Sequence, residues 1–230
     1  QALKDAGVST SSKVNSYVNA VNGFSAIMSH GDAIAVASQK DVAFVIPDEL
    51  RQVTTDSSPQ FLGLTDPAGP WQTGYTGEDV VVGVIDNGIW PEHPSFEDDG
   101  SYTDLGISLD EAVYAACDFG NTAHNAADAP FVCNDKLIGA RQMLDSYRLF
   151  IGAAADEYDS ARDDNGHGTH VVSVALNSAQ NASGRYFGIA PNANLISVKA
   201  FNEDGGACYS DVIRGLDWIL DHQVIHNIRV

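Results

Sequence analysis

The chain has 230 residues, of which 44% are hydrophobic, and a formal net charge of −19. Its length and hydrophobic content suit one medium globular domain, or one domain with a small neighbour. The charge argues against nucleic-acid binding, because phosphate recognition needs clustered Lys and Arg, and no apolar run of about 18 residues predicts a membrane span.

Residues 1–53 predict a small α+β module that differs from the rest of the chain. The stretch "VNSYVNAVNGFSAIM" alternates apolar and polar residues around Asn22-Gly23 and predicts strand structure. "GDAIAVASQK" then predicts a short helix, and "DVAFVIPDE" a strand that Pro47 ends. The chain starts in the helix-like "QALKDAG" without a signal peptide, so we expect sequence before residue 1, and secretion stays open on this ground.

Residues 54–230 predict a doubly wound, mostly parallel α/β sheet. After a turn-rich connector, "VVVGVIDNGIW" contains a continuous β-branched run that is typical of a central strand buried on both faces. A helix is predicted directly after His167, and residues 195–200 predict a second buried strand. "SDVIRGLDWILDH" predicts an amphipathic helix, and the final "IHNIRV" the start of a further strand.

Asp86 and His167 are the candidate functional residues. Asp86 follows the first buried strand, and functional groups of an open α/β sheet gather beyond the carboxyl ends of its strands. An acid in that place is also a common turn residue, and the histidine of "DDNGHGTHV" alone is also compatible with an exposed turn. The spacing of His167 and His170 is three residues, unlike the zincin motif H-E-x-x-H, so we expect no metal site there.

The acidic residues between Glu97 and Asp164 predict a solvated surface. They lack the D-x-[DN]-x-[DN]-G spacing of a calcium loop, which leaves calcium binding open. The three cysteines form no C-x-x-C zinc pattern.

Taken together, "VVVGVIDNGIWPEHPSF" and "DDNGHGTHVVSVA" resemble the Asp and His signatures of the subtilisin-like serine proteases, or subtilases. "GIAPNANLISVKAFNEDGGACYSDVIRGLDWILDH" is similar to the segment that follows in this family, and "WPEHPSF" and "CNDKLIGAR" resemble its plant-type branch, which has bacterial members. The resemblance implies that Asp86 orients the imidazole and that His167 exchanges protons with a nucleophilic serine. It also implies that Gly205 and Gly206 lie on the strand that pairs with an extended peptide substrate, although Gly-Gly is equally an ordinary turn.

The N-terminal module resembles the inhibitor I9-type propeptide of this family, on "NGFSAIMS" and "DVAFVIPDE". We therefore expect a partial, ferredoxin-like I9 propeptide over residues 1–53 and the N-terminal part of the peptidase domain over residues 54–230. The family's propeptide assists folding and caps the active site, which implies polypeptide substrates and the chain's own propeptide as partners. No cofactor is expected.

Two features depart from the family pattern. Ser173 stands where many members have glycine, which is a modest packing change. The oxyanion-hole Asn and the Gly-Thr-Ser nucleophile motif are absent and are expected beyond Val230, so the 230 residues alone should be inactive.

The resemblance further implies a Cys117–Cys133 disulfide, as in the plant-type branch, and a secreted, extracellular protein. Two other functions stay open. A non-catalytic subtilase-fold module for binding or regulation would lack the serine motif in the full protein, and a metal-dependent hydrolase would be sensitive to chelators.

Overall fold

A computed structural model describes residues 1–52, 68–102, 105, 117–179 and 188–230. The N-terminal module, residues 1–52, contains an antiparallel hairpin of two strands and a capped helix. Helix α2 starts where Ser29 and Asp32 form a capping box, each side chain accepting a hydrogen bond from the backbone N–H of the other residue. The elements of the module are α1 (Ala2–Asp5), β1 (Lys13–Tyr17), β2 (Gly23–Ala26), α2 (His30–Ala37) and β3 (Leu50–Gln52).

The prediction of a strand in residues 41–49 is wrong. Residues 42–49 lie outside helices and strands, and the side chains of Phe44 and Ile46 are 69% and 58% exposed. A β-branched, aromatic run forms a strand only where another strand offers hydrogen bonds and a packing face. This segment finds neither among the described residues, and strand structure begins only at β3.

The second part of the chain is built on a parallel sheet with the strand order β4-β6-β5. At the other edge of β4, Arg229 donates a backbone hydrogen bond to Val81 and Gly83 donates one to Val230, so the final residues run alongside it as the sequence predicted. The elements of this part are β4 (Val81–Asp86), β5 (Leu137–Gln142), α3 (Asp145–Phe150), α4 (His167–Leu176), β6 (Asn194–Lys199), β7 (Gly206–Cys208) and α5 (Tyr209–His222).

Helices cover both faces of this sheet. On one face, Leu137 and Leu195 pack with Val172 and Leu176 of α4. The opposite face is a second apolar cluster, whose members from the sheet and from α5 are Val81, Ile85, Ile138, Ile196, Val198, Trp218 and Ile219. All six residues of β6 are buried, as expected for the central strand of a parallel sheet. The predicted doubly wound α/β arrangement is confirmed.

The N-terminal module docks on α5 and β7. The carboxylate of Asp217 in α5 accepts backbone hydrogen bonds from three consecutive residues of the module, Val18, Asn19 and Ala20. Strand β3 pairs antiparallel with β7, so that Leu50 lies opposite Cys208 and Gln52 opposite Gly206. The module is therefore attached through main-chain hydrogen bonds at two separate places.

Candidate active site

Asp86 is the last residue of β4, where the chain leaves the buried sheet. The residue is only 8% exposed, and its Oδ1 accepts a hydrogen bond from the backbone N–H of Asn87 at 2.8 Å. Its own carbonyl accepts hydrogen bonds from the N–H groups of Ala200 and Phe201, which follow the neighbouring strand. These contacts hold the carboxylate at the carboxyl edge of the sheet.

His167 is the first residue of α4, and two side chains hold the turn that carries it. The Oδ1 of Asp163 accepts hydrogen bonds from the N–H groups of Asn165 and Gly166 at 2.9 and 2.7 Å. The Oδ1 of Asn87 accepts one from the N–H of Gly168 at 2.6 Å. Asp163 therefore fixes the turn that precedes the helix, and Asn87 pairs with an N–H of the first helical turn that has no partner within the helix.

The two candidate residues meet although they are 81 positions apart. The Nδ1 of His167 lies 2.9 Å from Oδ1 and 3.1 Å from Oδ2 of Asp86. In the tautomer that suits this contact, Nδ1–H donates to the carboxylate and Nε2 is left as an acceptor. Nε2 is buried and has no hydrogen-bond partner among the described residues.

This proximity depends on close backbone contact between β4 and α4. A Cβ atom added to Gly168 would lie 2.2 Å from the carbonyl oxygen of Gly88, which is shorter than any tolerable contact. Gly168 therefore lets the two segments approach closely enough for the carboxylate to reach the imidazole.

Gly205 directly precedes β7 and Gly206 opens it, and in the described part of the chain neither is hydrogen-bonded to Asp86 or His167. Gly205 has a φ of +74°, which favours glycine, and Gly206 donates a backbone hydrogen bond of 2.6 Å to Oδ1 of Asn202. The edge of β7 is occupied by β3 of the N-terminal module. This edge therefore accepts an extended peptide, while its assignment to substrate stays a prediction.

Several acids that we expected to be solvated are buried, and this expectation was wrong for them. Asp128, Glu157 and Asp163 are 2%, 0% and 4% exposed. Asp128 pairs with the buried Arg162 at 3.2 Å, and Glu157 with Arg148. Their cations lie 34 and 9 positions away in sequence, and no local pattern indicates such pairs.

The segment before His167 is held by a buried ion pair that sequence reasoning missed. Lys199, at the end of β6, contacts Oδ2 of Asp164 at 2.9 Å and donates to the carbonyl of Arg162. Burial raises the pKa of Asp164, and the nearby ammonium of Lys199 opposes that rise. A lysine ending a buried strand is the only sequence signal for this contact.

Cys117 and Cys133 form a disulfide with a Cα–Cα distance of 5.8 Å, as expected. Cys208 is a buried free thiol, and burial raises its pKa to about 12. Among the described residues, no group of three or more His, Cys, Asp or Glu side chains is arranged to hold a metal ion. The helices in the described part of the chain are all too short or too polar to cross a membrane.

The chain is similar to known proteins in sequence and in structure. The chain is 38% identical over 214 residues to subtilisin-like protease SBT1.4 of Arabidopsis thaliana, covering 88% of this chain and 26% of that protein. It is 36% identical over 216 residues to subtilisin-like protease SBT1.5 of the same plant, covering 89% and 26%. The chain thus spans about a quarter of the length of these relatives. A cold-adapted subtilisin-like serine proteinase of known structure aligns with a TM-score of 0.33 at 22% identity, over 64% of this chain and 34% of the other.

Two family models match the chain. The peptidase inhibitor I9 model matches residues 1–54, which include the N-terminal module. The subtilase family model, peptidase S8, matches residues 77–229, which include both Asp86 and His167. Since this second match covers more than half of the 230 residues, the chain belongs to the subtilase family of serine peptidases.

Proposed function

We propose that the full-length protein is a serine-type endopeptidase in which Asp86 and His167 are two members of a catalytic triad. The proposal rests on the hydrogen bonding of the His167 imidazole. Its Nδ1 is bound to a buried carboxylate, and its Nε2 is a buried acceptor without a donor among the described residues. A serine hydroxyl is the donor that this arrangement lacks, and we propose that it comes from outside residues 1–230.

In this mechanism His167 Nε2 takes the proton of the serine hydroxyl while the serine oxygen attacks the scissile carbonyl carbon. The imidazolium then gives the proton to the leaving amine, and water releases the acyl group by the same proton transfers. Asp86 keeps the imidazole in the required tautomer and stabilises its positive charge. No cofactor takes part in these steps.

The substrate peptide would pair with β7 as an antiparallel strand, through Gly205 and Gly206. Support comes from β3, which makes this type of pairing along residues 206–208. The N-terminal module therefore acts as a propeptide that blocks the substrate edge before it is removed.

The Cys117–Cys133 disulfide supports a secreted, extracellular protein, because disulfides persist in oxidising compartments.

The direct test is labelling with a fluorophosphonate probe, which reacts with activated serines. We expect stoichiometric labelling of the processed full-length protein and none of the isolated 230 residues. In the full-length protein, His167→Ala should abolish labelling. Asp86→Asn should lower kcat about 10⁴-fold with a small change in KM, because the carboxylate acts mainly in the transition state.

An unlabelled, correctly processed full-length protein would contradict this proposal and favour a non-catalytic binding module. Labelling of the isolated 230 residues would instead place the nucleophile within them.

A further inference from the structure

A cleft of about 530 Å³ opens beside the turn that carries His167. Four acidic residues line it, Asp156, Asp163, Asp164 and Glu203, together with Trp90 and Tyr158. No lysine or arginine is among its lining residues.

Two carboxylate oxygens of the cleft residues lack a hydrogen-bond donor. The side chain of Asp164 is 6% exposed, and its Oδ2 accepts from Lys199 and from the N–H of Tyr158. Its Oδ1 is buried without a donor in the described part of the chain. Oε2 of Glu203 has no donor there either, and burial together with the adjacent carboxyl of Glu157 raises the pKa of Glu203. Buried acceptors in native proteins are rarely left unpaired, because their desolvation is then uncompensated. Among the described residues Lys199 pairs with only one of these four acids, so the cleft keeps an excess of negative charge and of unpaired acceptors.

An ammonium or guanidinium group supplies both hydrogen-bond donors and positive charge. Lysine offers three N–H donors and arginine five, and hydrogen bonds between charged groups are the stronger kind. The rings of Trp90 and Tyr158 already contact the guanidinium of Arg162, whose Cζ lies 4.8 and 5.9 Å from their centroids. Trp90 is 40% exposed and can also contact the apolar stem of a bound side chain.

The cleft lies where a bound peptide would pass. Gly166, which lines it, directly precedes His167, and Glu203 lies three residues before Gly206 at the start of β7. It therefore lies between the proton-transfer group and the strand expected to hold the substrate backbone.

We propose that this cleft binds the side chain of a lysine or arginine of the peptide substrate, close to the scissile bond. The inference rests on the proposed endopeptidase function and names the substrate class of that same site.

The test uses the processed full-length protein and fluorogenic peptides that carry Lys, Arg, Gln or Glu at each position from four residues before to two residues after the scissile bond. At one position, kcat/KM for Lys or Arg should exceed that for Gln by about 10-fold or more, the order expected for a hydrogen bond between charged groups. The difference should lie mainly in KM, because the contact exists in both the ground state and the transition state.

Cleft variants connect this preference to the structure. Glu203→Gln and the exposed Asp156→Asn each remove one charge from the cleft, and each should lower the Lys-to-Gln ratio of kcat/KM. The matched control is Glu97→Gln, which removes the same charge at an exposed position outside the cleft and should leave the ratio unchanged. Glu203→Lys should lower the ratio further and favour Glu.

The outcomes separate the two proposals. Hydrolysis of neutral peptides without a preference for Lys or Arg at any position overturns the cleft assignment alone. A preference that survives in both Glu203→Gln and Asp156→Asn also overturns it, because the selectivity then arises elsewhere. Failure to hydrolyse any peptide, together with absent fluorophosphonate labelling, overturns the proposed function.

Discussion

Replacing Asp217 by asparagine should weaken the docking of the N-terminal module. Oδ1 of Asp217 accepts from the N–H groups of Asn19 and Ala20 at 2.7 and 3.0 Å, and Oδ2 accepts from Val18 at 3.2 Å. In Asp217→Asn the remaining oxygen can keep two of these bonds, while the new NH₂ group faces the N–H of Val18. Losing one hydrogen bond to a charged group costs about 1.5 to 3 kcal/mol. This corresponds to about 10- to 150-fold weaker binding.

The assay is inhibition of the processed full-length enzyme by the N-terminal segment added in trans. The inhibition constant should rise by the stated factor in Asp217→Asn and stay constant in Glu97→Gln, which removes the same charge outside this interface. An unchanged constant in Asp217→Asn would refute the view that this carboxylate holds the module.

Acid should weaken the same contact. Burial alone would raise the pKa of Asp217, but the three N–H donors outweigh it and the pKa is lowered from 3.8 in the docked state. Docking is therefore at full strength above the pKa of the free carboxyl group and is lost as the pH falls through the lowered value. This part of the pH dependence should be absent in Asp217→Asn.

Three further predictions concern stability. Gly168→Ala should strongly lower the melting temperature, because the new Cβ would lie 2.2 Å from the carbonyl oxygen of Gly88. The free energy of unfolding should rise between pH 7 and 10.5, because burial lowers the pKa of Lys136 from 10.5 to about 7 and the unfolded chain binds more protons than the folded chain in this range. Urea unfolding at several pH values across the range measures the rise. Reducing the Cys117–Cys133 disulfide should cost about 3 kcal/mol, measured by urea unfolding with and without a reductant.

Each of these has a control. Gly31→Ala adds a Cβ with no neighbour closer than 3.8 Å and should leave the melting temperature nearly unchanged. Lys136→Met should flatten the rise in the free energy of unfolding above pH 7. If this pH dependence is unchanged in the variant, Lys136 does not cause it. If mass spectrometry of unreduced peptides finds Cys117 and Cys133 both free, the disulfide is absent and the predicted effect of the reductant is wrong.

The parts of the site that lie at the ends of regular elements were readable from sequence. Asp86 follows a continuous apolar run that forms a strand, and His167 opens a helix. Each candidate could therefore be identified from a local sequence pattern, together with the rule that functional groups lie beyond the carboxyl ends of the strands. Their meeting across 81 positions could be inferred only because the predicted topology puts both segments at one edge of the sheet.

Other features depend on partners far away in sequence. Strand β5 contains Gly139, Arg141 and Gln142, which interrupt an apolar pattern, and it becomes a strand because β6 pairs with it. The burial of Asp128 depends on Arg162, and the acidic composition alone favoured solvent exposure. In the opposite sense, residues 42–49 have strand propensity without a partner strand.

The pairing of β3 with β7 has a consequence for competition at the proposed substrate edge. Because β3 is part of the same chain, its effective concentration at β7 is independent of dilution, and tethered segments of this kind reach the millimolar range. A peptide substrate that binds β7 as well as β3 does would displace the tethered strand only at a concentration above this effective concentration. A peptide that binds more tightly would do so at a proportionally lower concentration. Cutting the connection between the two parts makes the same contacts bimolecular. Dilution alone would then open the edge, with no change in any single hydrogen bond.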